Sequence, residues 1–209
     1  DITQTLIGEF RDKDLSDVID RDIEFPNLPQ KIRVAIGMRR TGKTYCLFQK
    51  INQLAAQGVP LERIFYINFE DERVWPLEAK DLGQMVDAFY ELTPNNHDHP
   101  CYFFFDEIQN VSDWPMVLRR LLDSQKKEFF ITGSSAKLLS TEIATSLRGR
   151  ALTTEVWPLG FKEYLRFKKN TLPQNKLGPV FKHKLRLALT GYLLEGGFPE
   201  IVLSKDFKK

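Results

Sequence analysis

Residues 37–44 read Gly-Met-Arg-Arg-Thr-Gly-Lys-Thr, flanked by the apolar run KIRVAI and by LFQKINQLAAQ. Glycines at the ends of such a turn let successive backbone N–H groups point inward at an anion, and a following lysine adds a mobile positive charge. In a triphosphate site Gly37 opens the turn and Gly42 permits close approach. Lys43 then reaches the β- and γ-phosphates, and the Thr44 hydroxyl ligates Mg²⁺. Met38, Arg39, Arg40, Thr41 and Tyr45 are the remaining candidate nucleotide contacts. Arg39 and Arg40 have two readings, an added phosphate contact or a solvent-facing position.

A second cluster is CYFFFDE at 101–107, an apolar run that ends in two carboxylates. Asp106 can position Mg²⁺ directly or through water. Glu107, one residue further, can polarise a water for in-line attack on the γ-phosphate. Alone, the pair has a lesser second reading as a solvated loop start; with the glycine loop, each motif supports the other. A regulatory GTPase would show Asp-x-x-Gly here, but Gln109 stands at the last place. SAK at 135–137 has no Asn-Lys-x-Asp stretch before it. ATP or ADP with Mg²⁺ is therefore the expected cofactor set.

Two weaker signals lie downstream. In ITGSS (131–135), Thr132 and Ser134 are candidates to sense the γ-phosphate; the other reading, a hydroxyl capping the next helix, fits Ser135 better and extends to Ser134. In SLRGR, Arg148 and Arg150 are either transition-state arginines or ordinary surface and helix-end charges.

These residues need strands and helices to hold them. KIRVAI at 31–36 reads as a buried strand, and Tyr45, Leu47, Phe48, Ile51 and Leu54 give 43–57 a helical face. RIFYINFE (63–70) is a second strand. DLGQMVDAFYEL is a helix with Asp81 as its cap, and TPNNHDHP (93–100) is a loop. After the acid-ending strand, Ser112 and Asp113 cap a helix with Pro115 in its first turn. EFFITGSS is a further strand, followed by a short helix through Leu138, Leu139 and Ile143 that Gly149 ends. ALTTEVWPL (151–159) is the fifth strand, and FKEYLRF is a helix. Residues 169–179 read as a linker; beyond it Phe181, Leu185, Ala188, Tyr192 and Leu193 share a helical face up to Gly196-Gly197. Strands alternating with helices predict an α/β fold, a parallel sheet covered on both faces, with a small helical appendage. The expected division is a nucleotide-binding core over 1–168, including an N-terminal extension over 1–30, and a linker with the start of a lid over 169–209.

The 209 residues, 42% hydrophobic, suit one globular domain, and no apolar run approaches the ~18 residues of a membrane helix. Two cysteines build no disulfide framework, and the first residues show no signal peptide, so a cytoplasmic home is expected. A net charge of +2 argues against a general polyanion binder. His97 and His99 lack a third metal ligand; Trp75 and Trp114 read as packing anchors.

Together, GMRRTGKT, YINFED, FFFDEIQNVSDW, ITGSSAKLLSTEIATSLRGR, VWPLGFKEYL and GGFPEIVL follow the order seen in prokaryotic AAA-type P-loop ATPases. The resemblance runs from Ile32 to Leu203 and implies a five-stranded parallel AAA+-like core followed by a helical lid. Members commonly continue into a winged-helix segment and a C-terminal domain, so the resemblance implies more chain after the lid. It also implies that Gly197-Phe198-Pro199 matches a Gly-x-Pro turn, with Pro199 against the adenine. The usual second-sensor arginine of AAA proteins has no counterpart in this lid. The function expected is a Mg²⁺-dependent ATPase acting as a nucleotide-controlled switch, slow on its own. Self-association through an arginine finger, and DNA or protein partners bound through further domains, are the expected associations. The alternatives are an ATP-gated DNA-binding module and a small-molecule kinase.

Overall fold

The structure is a computed structural model that describes residues 2–123, 126–133, 145–170 and 178–204. Five strands, β1 (Ile32–Ile36), β2 (Ile64–Asn68), β3 (Cys101–Asp106), β4 (Lys127–Gly133) and β5 (Ala151–Glu155), form one sheet in the order β2-β3-β4-β1-β5. All four pairings are parallel. The helices are α1 (Ile2–Arg11), α2 (Lys43–Ala56), α3 (Ala79–Leu92), α4 (Trp114–Leu122), α5 (Phe161–Phe167), α6 (Pro179–Glu195) and α7 (Pro199–Leu203).

A parallel sheet is buried on both faces, so its strands must be apolar on both. Phe103, Phe104 and Phe105 show this directly, all fully buried. Phe103 and Phe105 face a core with Leu82, Val86 and Phe89 of α3 and Leu118 of α4. Phe104 faces the other way, onto Leu47, Ile51 and Leu54 of α2. Insertion of β4 between β1 and β3 brings the ends of three strands level: Ala35 pairs with Thr132, and Phe105 with Ile131. The loop after β1 and the acids after Phe105 therefore open on the same edge.

Several local readings change. The N-terminal extension contains α1, whose Ile7 and Phe10 enter the two opposite core clusters, with Phe10 stacked on Tyr66 at 4.8 Å. Reaching both faces, it covers the exposed side of edge strand β2. Asp81 is not the cap of α3: Glu78 takes that place, and Asp81, three residues on, accepts from the Glu78 N–H at 2.9 Å. Asp113 caps α4 by position without a side-chain hydrogen bond. β5 stops at Glu155, where the Val156 N–H donates its last bond to Ile36 at 2.7 Å. Trp114 is a buried anchor but Trp75 is 58% exposed. In α6, Leu185, Ala188 and Tyr192 turn inward as expected, whereas Leu193 is 73% exposed. The helix expected through Leu138, Leu139 and Ile143 lies outside the described residues. No helix among the described residues is long and apolar enough to cross a membrane.

Candidate functional site

The loop from Gly37 to Thr44 is held from within by one carbonyl. Met38 O accepts from the Thr41 hydroxyl at 2.9 Å and from Lys43 Nζ at 3.0 Å. Gly37 is needed for proximity, since a Cβ there would lie 2.3 Å from the Val156 carbonyl oxygen just after β5. Gly42 is needed for conformation, with φ 91 immediately before α2. Thr41 is fully buried and Lys43 nearly so. Burial pushes the Lys43 ammonium below its ordinary value; the charges of Glu107 and Asp106 oppose that and Arg39 adds to it.

Across the same edge, the Asp106 carboxylate is buried among three hydroxyls. Thr132 donates to its Oδ1 and Tyr66 donates to Oδ2 at 3.1 Å, and the Thr44 hydroxyl is near enough to help hold the carboxyl down. Burial raises the Asp106 carboxyl above its ordinary range and the Glu107 charge adds to the rise, while the three hydroxyls counteract it. The Tyr66 phenol is pushed up by burial and by Asp106, so it stays a donor. Glu107 has φ 53, an unfavourable region for a residue with a side chain and one that clusters at functional sites. Its carboxylate accepts from Gln109 Nε2 at 2.7 Å, and its N–H donates to the Thr132 hydroxyl at 3.0 Å.

A cavity of about 710 Å³ joins these parts. Arg39, Arg40, Gly42, Lys43, Thr44, Tyr45 and Glu107 line it at the loop end. Asp17, Ile19, Phe167, Pro199 and Leu203 line it elsewhere. Pro199 lies close to the loop, its Cγ 3.7 Å from where a Gly42 Cβ would stand. Arg40, with φ 64, reaches Glu200 across the mouth at 3.5 Å, both side chains exposed. The lid is seated by Leu159, whose N–H donates to Gly197 O at 2.6 Å and whose carbonyl accepts from Tyr192 at 2.9 Å.

Thr132, Arg148 and Arg150 stand apart from the cavity. Thr132 is fully buried and does not line the cavity. A hydroxyl has one proton, and Thr132 gives it to Asp106 while accepting from Glu107, so none is left to donate to a phosphate. In this arrangement Thr132 orients the acids. Ser134 lies outside the described residues. Neither Arg148 nor Arg150 lines the cavity. The Arg150 carbonyl accepts from the Ile32 N–H at the start of β1, and its guanidinium lies 3.9 Å from Asp123. The loop begins at the other end of β1, roughly 15 Å away at a rise of about 3.3 Å per residue.

Sequence reading missed Arg21 and Glu163. The Arg21 fork donates from Nε to Glu163 Oε1 at 2.6 Å, from Nη1 to Thr41 O at 2.9 Å and from Nη2 to Trp157 O at 2.9 Å. Glu163 also accepts from the Asp22 and Gly160 N–H groups, each at 2.9 Å. Burial raises this carboxyl, but the bonds from Arg21, Gly160 and Asp22 outweigh it and hold it below the ordinary range. No periodic pattern marks Arg21, because the segment between α1 and β1 has no regular structure.

The chain is 46% identical over 189 residues to the uncharacterized protein MJ1544 of Methanocaldococcus jannaschii, covering 90% of this chain and 40% of that protein. It is 37% identical over 176 residues to an uncharacterized protein of Haemophilus influenzae, covering 84% of this chain and 41% of that one. The chain thus spans about two fifths of the length of these relatives. Among solved structures it is similar to Caenorhabditis elegans PCH-2, with a TM-score of 0.44 and 10% identity over 83% of this chain and 53% of that one. A family model described as an AAA domain matches residues 29–165, the span that contains the glycine loop, the acid pair, all five strands and Glu163, and the chain belongs to that AAA family.

Proposed function

We propose that this domain binds ATP with Mg²⁺ and hydrolyses it to ADP and phosphate, acting as a nucleotide-controlled switch within a longer chain. The observation that carries this reading is a single cavity lined by both Lys43 and Thr44 of the glycine loop and by Glu107 at the end of the acid strand, next to the buried Asp106. The donor set fits Mg²⁺, which prefers hard oxygens and keeps several waters, so one hydroxyl and one carboxylate beside substrate phosphates suffice. When bound, Mg²⁺ supplies charge neutralisation at the phosphate oxygens.

The chain's own residues do the rest. Lys43 anchors the phosphate tail, and the Thr132 and Tyr66 hydroxyls orient the Asp106 carboxyl. Glu107, held outward by its left-handed backbone and by Gln109, is placed to take a proton from an attacking water. Ile19, Phe167, Pro199 and Leu203 give the cavity an apolar part that suits the adenine, and about 710 Å³ lies within the range of nucleotide-sized pockets. With Arg148 and Arg150 on the opposite edge of the sheet, any arginine acting on the γ-phosphate from these positions has to come from a second copy. Slow intrinsic turnover follows.

Glu107→Gln tests the reading. The variant keeps the side chain's size and should retain ATP while phosphate release falls by ~10²–10⁴-fold, the usual range for losing a general base. Wild-type turnover in that variant would remove Glu107 from the chemistry.

A further inference from the structure

Arg21 makes contacts that the proposed chemistry does not use. It is 6% exposed, and its three nitrogens reach the glycine loop, the chain after β5, and Glu163 of α5. Its backbone is equally fixed: the Arg21 N–H donates to Gln49 Oε1 at 2.8 Å, and Gln49 Nε2 donates back to Arg21 O at 3.1 Å, securing it to α2. Three parts of the molecule thus meet at one guanidinium, and a fourth, α2, holds its backbone. A lysine cannot replace it, because one ammonium lacks the planar fork that serves acceptors in three directions.

The contact with Thr41 O carries the consequence. The Thr41 side chain is spent on Met38, so no bond from its own hydroxyl fixes the Thr41–Gly42 peptide plane. Gly42 has no Cβ to resist rotation and sits at φ 91. In a planar trans peptide the carbonyl and the following N–H point in opposite directions. Whatever holds the Thr41 carbonyl therefore sets the aim of the Gly42 N–H. We propose that Arg21 is a positioning residue for the phosphate loop: by holding the Thr41 carbonyl it turns the Gly42 amide toward the nucleotide phosphates, with Glu163 keeping the guanidinium in place. This rests on the ATP-binding reading above and adds to it a residue from the irregular N-terminal segment.

The test is the amide proton of Gly42, followed by nitrogen–proton correlation NMR as ADP with Mg²⁺ is added. In the wild type that proton should move strongly downfield, as a donor to a phosphate does. In Arg21→Lys the downfield movement should fall by more than half, and ADP affinity by about tenfold, the worth of one net hydrogen bond. Glu163→Gln keeps one acceptor oxygen and should give intermediate values for both. A lysine variant with a lowered melting temperature but an unchanged Gly42 shift and unchanged affinity would make Arg21 merely structural and overturn the proposal. Should the lysine variant fail to fold, the wild type decides: a Gly42 proton unmoved by ADP, while other loop amides shift, also overturns it. A wild type that binds no nucleotide at all overturns the ATP reading as well, which separates the two failures.

Discussion

Gly197→Ala isolates the lid from the rest of the site. A Cβ at Gly197 would stand 2.5 Å from the Leu159 carbonyl oxygen, 3.1 Å from the Leu159 nitrogen and 3.2 Å from Pro158 Cβ. The backbone there is not in the left-handed region, so the objection to alanine is purely steric. Two of the three neighbours are main-chain atoms and cannot swing aside. An ordinary carbon–oxygen contact needs about 3.3 Å, so the Gly197 turn has to retreat by about 0.8 Å. That retreat stretches the 2.6 Å bond from Leu159 N–H to Gly197 O and disturbs the Tyr192 hydroxyl on the Leu159 carbonyl. Overpacking costs about 1–3 kcal/mol and a lost net hydrogen bond about 1 kcal/mol. Taking about 2 kcal/mol as the central value, ATP affinity should fall by roughly thirtyfold, because Pro199 and Leu203 line the cavity from this lid. The sheet clusters do not include Gly197, so the main thermal transition should change little. Calorimetric titration with ATP, beside hydrogen exchange over residues 198–203, measures both. Wild-type affinity together with wild-type protection of that segment would refute the reasoning.

Lys43→Ala removes the buried ammonium that faces Asp106 and Glu107, and ATP affinity in calorimetry should fall by at least about thirtyfold; an unchanged value would contradict an anchoring role. The Glu163 carboxyl is held below its ordinary 4.5 by Arg21 and two backbone N–H groups, against burial. A depressed folded value means that its contribution is complete above pH 4.5 and is lost as pH falls through the lower folded value. Acid melts should therefore show a drop in melting temperature below about pH 4.5. In Glu163→Gln that part of the drop should be missing, and an identical acid profile in the two proteins would count against the Arg21–Glu163 pair.

The legible parts of the site were those encoded by neighbours in sequence. Gly37 to Thr44 is one turn, and Asp106-Glu107 is one strand end, so spacing alone exposes their chemistry. The sheet was legible for a similar reason: strands buried on both faces are continuous apolar runs, as in Cys101–Phe105. Arg21 was not, because its partners Thr41, Trp157 and Glu163 come together only in the folded chain and the segment has no period to betray it. The Tyr66 hydroxyl on Asp106 was hidden inside an apolar strand, although a buried tyrosine always raises the question of its partner. Arg148 and Arg150 looked near the site because they follow Thr132 closely in sequence. In a parallel sheet the chain must return to the opposite edge before the next strand, and that return carries them away. Thr132 was read as facing the ligand, but its place beside Asp106 in the interior of the sheet is set by strand register.

The most direct measurement is a diffraction structure grown with Mg²⁺ and a non-hydrolysable ATP analogue. The account predicts the phosphate tail within Gly37–Thr44, its terminal phosphate between Lys43 Nζ and Glu107, the metal on the Thr44 hydroxyl, and the base against Pro199. A nucleotide bound elsewhere on the molecule, or an empty loop at saturating analogue, would contradict it.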